Sequence, residues 1–426
     1  MTSMLLMTTA TPACHTSLTG HMRRSLLTTP MTDGTPNPTA RIPLDQELEQ
    51  MPTTTQQMID RVVAVTLLKG GVGKTTITAN LAHELARLGQ RVLVADGDPT
   101  AFISTILTGA DYATGITLSD ILGSDDIDVR EAVRPAWAPW QPNPEIPWGE
   151  GGALAGRPVG HIDVLHSDPN LAKQASSMGS RALQRMRHAL FRSGSSPLAA
   201  EYDVVLIDCQ PSPDLSSEMA VMASGSLLLI TQPEAGSARG MELAVAFAQQ
   251  LASDYDHEVK IGGIVINMYD GRLGEHRRVQ GEIADWASAN LPQDDMGVVG
   301  HVWGNPMPRR SAITAATAER RPVASSLVNG RGLPRLERMS MLRSHATLVP
   351  IFTLLAMGVV YMVSPQLMPE LIEKLQAEKM PEAMRTVLFP ADPEVLPEEL
   401  EFPPADDGAA GNDIDPAAKV AMSVSA

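Results

Sequence analysis

The apolar segment Val62-Val63-Ala64-Val65-Thr66-Leu67-Leu68 runs directly into Lys69-Gly70-Gly71-Val72-Gly73-Lys74-Thr75-Thr76. A continuous apolar run of this length is typical of a strand that is buried on both faces of a parallel sheet. Helical periodicity follows from Thr76 to Leu88, and Gly89 ends it. The stretch therefore predicts a buried strand, a glycine-rich loop and a helix in direct succession.

Further apolar runs recur along the chain, with helical segments between most of them. These predicted strands are Arg91–Ala95, His161–Leu165, Val204–Ile207, Ser226–Thr231 and Ile261–Ile266. Alternation of strands and helices is typical of a mostly parallel sheet with helices on both faces. We therefore predict an α/β fold with a single P-loop domain over residues 59–363.

The composition excludes several classes of protein. The chain has 426 residues, of which 43% are hydrophobic, so a large core is available and wholesale disorder is excluded. Aromatic residues make up 4%, which argues against a platform on which nucleic-acid bases stack. The net charge of -16 excludes a protein that is basic throughout, but not a local basic patch. Two distant cysteines, Cys14 and Cys209, fit a reducing, cytoplasmic location.

Both ends of the chain differ from the centre. Residues 1–58 are rich in Thr, Met and Pro, and we predict a disordered arm there, with room for a short helix near Gln46–Met58. No charged segment followed by a secretory apolar run is found in this arm. Residues 364–426 carry 13 acidic and 4 basic residues, which predicts an acidic, largely disordered tail, above all from Phe389.

Two segments inside the domain leave alternatives open. Residues 135–160 contain six prolines and three tryptophans, Trp137, Trp140 and Trp148, and form either a surface insertion or a partner-docking loop. Residues 346–368 lack any charge, so they are long enough for a transmembrane helix. Pro350, Gly358 and Pro365 interrupt that stretch, which favours a buried closing helix instead.

The glycine-rich loop has the chemistry of a phosphate site. Small residues at Gly70, Gly71, Val72 and Gly73 allow backbone N–H groups to close around phosphate oxygens at a helix N-terminus. Lys74 can reach the β- and γ-phosphates, and Thr75, next to Thr76, can place its hydroxyl on Mg²⁺. The strict P-loop pattern has glycine at the position that Lys69 occupies here. A second lysine at the start of the loop indicates additional charge stabilisation.

This octet resembles the signature of the deviant Walker A ATPases, the ParA/MinD group, and the resemblance extends from about Val62 to Val323. It implies ATP and Mg²⁺ as cofactors and an ATP-bound homodimer. It also implies that Lys69 is catalytic and reaches the nucleotide of the partner subunit, as an arginine finger does. Lys74 is the loop's own catalytic lysine.

The resemblance assigns three acidic residues. Asp96-Gly97-Asp98-Pro99 is similar to the family's D-x-D-P element, in which Asp96 would hold Mg²⁺ through water and Asp98 would orient the attacking water. Asp208 ends an apolar strand and would bind a water on the metal. Thr100 replaces the usual glutamine after the proline, and Gln210 replaces a proline after Cys209.

Asn267 matches the asparagine that reads adenine in related ATPases, although a turn-forming role before Tyr269-Asp270-Gly271 is the alternative. ParA-type proteins have segments similar to Asn267-Met268-Tyr269-Asp270 and to Thr117–Leu122. The segment Gln232-Pro233-Glu234 is likewise similar to an element of the family.

Arginines follow the last predicted strand, where ParA proteins carry basic residues that contact DNA. They are Arg309 and Arg310, and Arg320 and Arg321 extend the patch. A solvated arginine face without DNA contact is the alternative.

The resemblance thus predicts an ATP-dependent DNA-partition ATPase, cytoplasmic and nucleoid-associated. Its expected partners are nonspecific DNA, a second copy of the chain and a ParB-like centromere-binding protein. MinD-like proteins end in a basic amphipathic helix that lies on a membrane, whereas this chain ends in an acidic segment. A MinD-like regulator, an ATPase that positions other cargo, or a membrane-anchored adaptor is the alternative.

Overall fold

The computed structural model describes residues 53–110, 115–148, 152–192, 196–294, 298–303, 306–325, 335–380 and 382–388. The predictions made for residues 1–52 and for the tail from Phe389 lie outside these residues. The short helix expected before Met58 is present as Thr53–Ile59, and Met58 and Ile59 are buried. The folded domain therefore begins at about residue 53 rather than 59, because these two side chains join the core.

The centre of the fold is a seven-stranded sheet. The strands are β1 Val62–Thr66, β2 Arg91–Gly97, β3 Val133–Pro135, β4 His161–Leu165, β5 Val204–Cys209, β6 Ser226–Thr231 and β7 Lys260–Ile266. They lie in the order β3-β4-β2-β5-β1-β6-β7, and all neighbouring strands are parallel except β3, which runs antiparallel to β4. The six strands predicted from sequence are confirmed, whereas β3, only three residues long, was not predicted.

Helices connect the parallel strands. The connection from β1 to β2 runs toward one edge of the sheet, and the connection from β5 to β6 runs toward the other edge. Because crossovers between parallel strands are right-handed, these opposite directions place helices on both faces of the sheet. The mostly parallel α/β fold is therefore confirmed. The helices are α1 Thr53–Ile59, α2 Lys74–Arg87, α3 Phe102–Thr108, α4 Leu118–Gly123, α5 Leu171–Met178, α6 Ala182–Arg192, α7 Leu215–Ala223, α8 Ser237–Asp254, α9 Gly274–Asn290, α10 Ser311–Ala318, α11 Arg335–Val363, α12 Met368–Ala377 and α13 Glu382–Leu388.

Helix α2, which follows the glycine-rich loop, is buried on nearly every side. The segment predicted as an insertion covers its outer surface with the buried rings of Trp140 and Trp148. The Arg87 guanidinium stacks over the Trp148 ring at 4.9 Å, and its Nε donates to the carbonyl of Gly152 at 2.8 Å. Two of the three tryptophans thus act as core residues, which favours the surface-insertion interpretation; Trp137 remains partly exposed.

A buried ion pair joins α2 to the long helix α11. Arg87 and Glu84 lie 2.5 Å apart, and the hydroxyl of Thr353 donates to the other oxygen of Glu84 at 3.0 Å. All three side chains are buried. A buried charge requires a partner, so these contacts fix α11 against α2 in one register.

Helix α11 is one of the core helices of the domain. Its segment Ser344–Val363 is the one stretch among the described helices that is long and apolar enough to cross a membrane, yet 72% of the 18-residue apolar window in it is buried within the protein. Its buried residues include Leu348, Phe352 and Val359. The structure thus favours the buried closing helix. Pro350 and Gly358 do not divide this helix, which ends at Val363 before Pro365. Gly358 instead gives room to the indole ring of Trp303.

The prediction of a largely disordered tail from residue 364 is wrong for its first part. Residues 368–377 and 382–388 form α12 and α13, and Leu371, Leu375 and Met384 are buried. The acidic residues of α12 lie on its outer side, where Glu370 pairs with Arg157 of the insertion at 3.1 Å. The charge of the segment concealed an amphipathic helix, whose apolar face belongs to the domain.

We predict that Leu371→Ala destabilises the domain, because truncation of a fully buried leucine costs about 2–5 kcal/mol. The matched control is Leu243→Ala on α8, whose side chain is half-exposed; such a surface change costs about 0.5 kcal/mol or less. Urea denaturation followed by circular dichroism measures both. Equal unfolding midpoints for Leu371→Ala and the unsubstituted protein would contradict the assignment of α12 to the core.

Candidate functional site

The glycine-rich loop lies where the carboxyl ends of the central parallel strands meet. This edge is where ligands bind in open α/β sheets. Gly71 and Gly73 have φ angles of 76° and 88°, which favour glycine, and Gly73 precedes the first residue of α2. Successive backbone N–H groups in such a turn form a concave anion site at a helix N-terminus. The loop therefore has the conformation expected of a phosphate site.

Lys74 is folded back over this loop. Its Nζ donates to the carbonyl oxygens of Leu67 at 3.2 Å and Lys69 at 3.0 Å. Burial lowers the pKa of Lys74, and the nearby Asp208 carboxyl opposes that shift. The ammonium group is thus held beside the loop by neutral carbonyls and is available to a phosphate anion.

The hydroxyl of Thr75 donates to one oxygen of Asp208 at 2.7 Å, and the hydroxyl of Thr78 donates to the other at 3.1 Å. Asp208 is fully buried at the end of β5. Burial raises its pKa to about 7, although both threonine hydroxyls oppose the shift, and the neighbouring Asp98 raises it further. The residues predicted as metal ligands on the loop and on β5 are therefore in direct contact.

Asp96 lies beside Asp208, because the two residues are paired in the register of β2 and β5. Its carboxylate accepts from Ser104 Oγ at 2.6 Å and from the Asp98 N–H at 3.0 Å. Burial raises the pKa of Asp96 to about 7, and Ser104 opposes that shift. Asp98 is only partly buried and accepts from the Thr100 N–H at 2.8 Å.

These side chains fit Mg²⁺ held as P-loop proteins hold it. The described residues contain no cluster of three or more His, Cys, Asp or Glu that could hold a metal alone. One threonine hydroxyl with Asp208 and Asp96 nearby is a partial oxygen donor set, and Mg²⁺ usually completes such a set with water and substrate phosphates. Cys209 is buried, and burial raises the pKa of its thiol far above the usual range, which disfavours the reactive thiolate.

Lys69, at the start of the loop, forms an ion pair with Glu234 of the same chain at 2.6 Å. Both side chains are well exposed, at 39% and 54%. A pair in such contact with water is weak and can exchange partners. Lys69 is therefore displayed at the surface beside the loop, and Glu234 is its partner in this state.

Two amide side chains lie against the other side of the loop. Nε2 of Gln232 donates to the Gly71 carbonyl at 2.9 Å, and Nδ2 of Asn267 donates to the Val72 carbonyl at 2.7 Å. The Asn267 Oδ1 accepts from the Met268 N–H at 2.9 Å. The sequence singled out Gln232 only as part of a family segment and gave it no role.

A cavity of about 620 Å³ adjoins the loop at Gly73 and Thr76. Asn267 and Met268 line it, as do Arg309, Arg310 and Arg320, together with apolar side chains of α3 and α10. Arg309 and Arg310 are exposed, and neither has a side-chain hydrogen bond or ion pair with another described residue. Arg320 donates to the Gly109 carbonyl at 3.0 Å and, like Arg321, is only half-exposed. The four predicted DNA-contact residues therefore differ in accessibility.

Comparison with known proteins shows the family to which the chain belongs. A family model described as an AAA domain matches residues 60–146 and 151–261. The chromosome partitioning protein ParA of Caulobacter vibrioides is 30% identical over 214 residues, which cover 50% of this chain and 71% of that protein. The chain belongs to the ParA family of P-loop ATPases.

Other relatives of this ParA-type ATPase are more distant. The chromosome partitioning protein ParA of Myxococcus xanthus is 26% identical over 53% of this chain and 71% of that protein. An uncharacterized protein of Mycobacterium tuberculosis is 27% identical over 53% of this chain, and the match spans 63% of that relative's length. The predicted cofactors, ATP and Mg²⁺, agree with membership of this family.

Solved structures are similar to part of this ParA-type ATPase. Apo McdA of Cyanothece has a TM-score of 0.49 and 16% identity, with 67% of this chain and 97% of that chain covered. Cobyrinic acid a,c-diamide synthase of Mycobacterium smegmatis with bound ADP and magnesium has a TM-score of 0.47 and 24% identity, with 64% and 95% covered.

We predict that Asp208→Asn changes the pH dependence of stability in the nucleotide-free, Mg²⁺-free protein. The folded-state pKa of Asp208 is raised from 3.8 to about 7, so folding stability is lost as pH rises between these values. Because Asn does not titrate, the difference in Tm between the variant and the unsubstituted protein becomes more positive from pH 5 to pH 8.

Asp203→Asn is the matched control for this measurement. Burial raises the pKa of Asp203, but hydrogen bonds from Arg91 outweigh burial and leave it lowered. Asp203 is therefore ionised in both the folded and unfolded states throughout this range, and its Tm difference stays constant. A constant difference for Asp208→Asn as well would show that Asp208 is already ionised at pH 5.

Proposed function

We propose that this chain is an ATP-dependent DNA-partition ATPase, acting in plasmid or chromosome segregation in the cytoplasm and on the nucleoid. It dimerises on binding ATP, holds nonspecific DNA as a dimer, and releases the DNA after hydrolysis. A ParB-like centromere-binding protein accelerates that slow hydrolysis. The observation that carries the proposal is the pairing of a complete P-loop site with two exposed arginines, Arg309 and Arg310, at the rim of the adjoining cavity.

Each residue of the site has a role that its position supports. The N–H groups from Gly70 to Thr76 bind phosphate oxygens, and Lys74 leaves its carbonyl partners to bind the β- and γ-phosphates. Thr75 and Asp208, with Asp96 beside them, would hold Mg²⁺, which neutralises charge on the phosphates when bound. Asp98, the least buried of the three acids, orients a water for attack on the γ-phosphorus, and the bond to the ADP oxygen breaks.

Lys69 supplies positive charge to the site of the partner subunit in this proposal. Its exposure supports that role, since a second chain can reach a lysine that lies at the surface. The ion pair with Glu234 must open before Lys69 can reach another chain. Opening this pair requires little free energy, because exposed ion pairs contribute about 0–1 kcal/mol to stability.

Complementation between two inactive variants tests this role. Lys69→Ala should abolish hydrolysis, since a trans-acting cation contributes a factor of about 10³–10⁵ to the rate. Asp98→Ala should abolish hydrolysis because the attacking water is no longer oriented. A mixture of the two should recover activity, because each mixed dimer then has one site with its own Asp98 and a Lys69 from the partner. Phosphate release is measured against total protein. A mixture as inactive as its parents would place Lys69 in its own subunit's site.

DNA binding is assigned to the arginines after β7. Residues 301–345 contain eight arginines and two glutamates within a chain of net charge -16. Four of these arginines, Arg331, Arg335, Arg338 and Arg343, lie at positions whose side chains are outside the described residues. Since Arg309 and Arg310 line the cavity beside the loop, nucleotide binding can alter the surface that they present. A dimer presents this surface twice, which raises affinity through paired engagement.

We predict that Arg309→Glu combined with Arg310→Glu weakens duplex DNA binding and makes its salt dependence shallower. Each phosphate contact contributes about -0.9 to the slope of log K against log salt. The measurement is duplex binding over a range of salt with a nonhydrolysable ATP analogue. Affinity for that analogue is measured in parallel, because both arginines also line the cavity next to the loop.

The matched control is Lys173→Glu combined with Arg181→Glu, an equal change of charge at exposed positions outside this cavity. This control should bind DNA as the unsubstituted protein does. Equal affinity and slope for the Arg309/Arg310 variant and the unsubstituted protein would move DNA binding elsewhere. Absence of ATP-dependent DNA binding, or extraction from cell pellets by detergent rather than salt, would favour the cargo-positioning or MinD-like alternatives.

A further inference from the structure

The amide groups of Gln232 and Asn267 hold two consecutive carbonyl groups of the P-loop, those of Gly71 and Val72, at 2.9 Å and 2.7 Å. Both side chains are buried, with at most 9% of their surface exposed. We propose that Gln232 and Asn267 are positioning residues, which hold the P-loop in the conformation that accepts phosphate. They act through the loop and not through contact with the reacting atoms.

Because the peptide bond is planar, a contact that fixes a carbonyl group also fixes the N–H group of the next residue. In a trans peptide the carbonyl of one residue and the N–H of the next are fixed on opposite sides of one plane. A hydrogen bond that fixes the Gly71 carbonyl therefore also fixes the Val72 N–H, and the bond to the Val72 carbonyl fixes the Gly73 N–H. With both carbonyls held on one side, both N–H groups face the phosphate side.

The loop needs such support because its glycine residues can adopt many backbone conformations. Gly71 and Gly73 have positive φ angles, which glycine adopts about as readily as negative ones, so many loop conformations compete. At Gly73 a Cβ atom would lie 2.3 Å from Nδ2 of Asn267, so the close approach of the amide also requires glycine there. A loop conformation other than this one would remove the acceptor of the buried Asn267 amide and leave Nε2 of Gln232 with only the Met268 sulfur, 2.9 Å away, and the loss of these bonds costs free energy.

Both amides are themselves fixed by the sheet. Asn267 follows β7, and its N–H donates to the Thr231 carbonyl at the end of β6 at 2.7 Å. Gln232 follows β6, and its carbonyl accepts from Ser237 Oγ at 2.5 Å. The ends of two neighbouring parallel strands thus supply the two donors, and the loop is held against the rigid part of the fold.

This role differs from the adenine contact that the family resemblance implies for Asn267. One of the two N–H donors on its Nδ2 is used by the Val72 carbonyl, and Oδ1 accepts one hydrogen bond from the Met268 N–H. A base-reading residue affects only ligands that contain adenine, whereas a residue that positions the loop affects every phosphate ligand. The inference rests on phosphate binding at the loop and is independent of the proposed DNA function.

The test uses Gln232→Glu and Asn267→Asp in the full chain, since each replaces the NH₂ donor by an acceptor of the same shape. Isothermal titration calorimetry measures the affinity for Mg²⁺-ATP and for inorganic tripolyphosphate, which has no base. Leaving a buried carbonyl without a partner should weaken both ligands by about 5- to 100-fold. The control is Gln141→Glu, which removes amide bonds to the carbonyls of Ala136 in the insertion and Ile162 in β4 and should leave both affinities unchanged.

Weaker binding of ATP alone by Asn267→Asp would make Asn267 a base reader and overturn its positioning role. Unchanged affinities for Gln232→Glu would overturn the role of Gln232. If the unsubstituted protein binds neither ligand, the ATPase proposal itself fails. The positioning role is then decided by hydrogen–deuterium exchange of residues 69–76 in Gln232→Met, checked for folding by circular dichroism. Faster exchange than in the unsubstituted protein supports the role, and equal exchange contradicts it.

Discussion

The hydrogen bond from Thr75 to Asp208, 2.7 Å long, joins the first turn of α2 to the end of β5, and the geometry of the site depends on it. Thr75 lies on α2, directly after the loop that follows β1, and Asp208 belongs to the strand that pairs with β1 in parallel. Because β5 also pairs with β2, Asp96 lies beside Asp208. Parallel pairing thus gathers a hydroxyl and two carboxyls from three distant parts of the sequence at one edge.

The surroundings of α2 bury most of this helix. The sheet lies on one side of the helix, the tryptophan-rich insertion covers another, and α11 closes the domain through the Thr353–Glu84–Arg87 contact. Burial of Asp96 and Asp208 raises both pKa values to about 7, which costs stability in the absence of a cation. A loss of stability of this kind is expected at a functional site where a bound cation supplies the positive charge that the two carboxyl groups lack.

The fold and the centre of the site could be predicted because they depend on local patterns. Strand-length apolar runs and the loop from Lys69 to Thr76 specify the parallel sheet and the phosphate site without knowledge of distant contacts. Register then places Asp96 and Asp208 together, as the order of such elements implies. The roles assigned to Lys69, Asp98 and the arginines remain predictions, since each concerns a partner that the single chain does not contain.

The features that could not be predicted all depend on tertiary contacts. Strand β3 is three residues long and forms only because β4 lies beside it. Helix α12 is acidic, and its buried leucines were hidden by composition averaged over the tail. Gln232 binds a loop that lies 161 residues earlier in the chain, and no local pattern of residues indicates which carbonyl groups it will meet.

The proposed function requires that ATP at this site joins two copies of the chain. Sedimentation velocity of the unsubstituted protein tests this requirement most directly, with Mg²⁺ and either ADP or a nonhydrolysable ATP analogue at equal concentration. We expect a monomer with ADP and a dimer with the analogue, because Lys69 then finds a γ-phosphate in the partner. The same mass with both nucleotides, whether monomer or dimer, would contradict it.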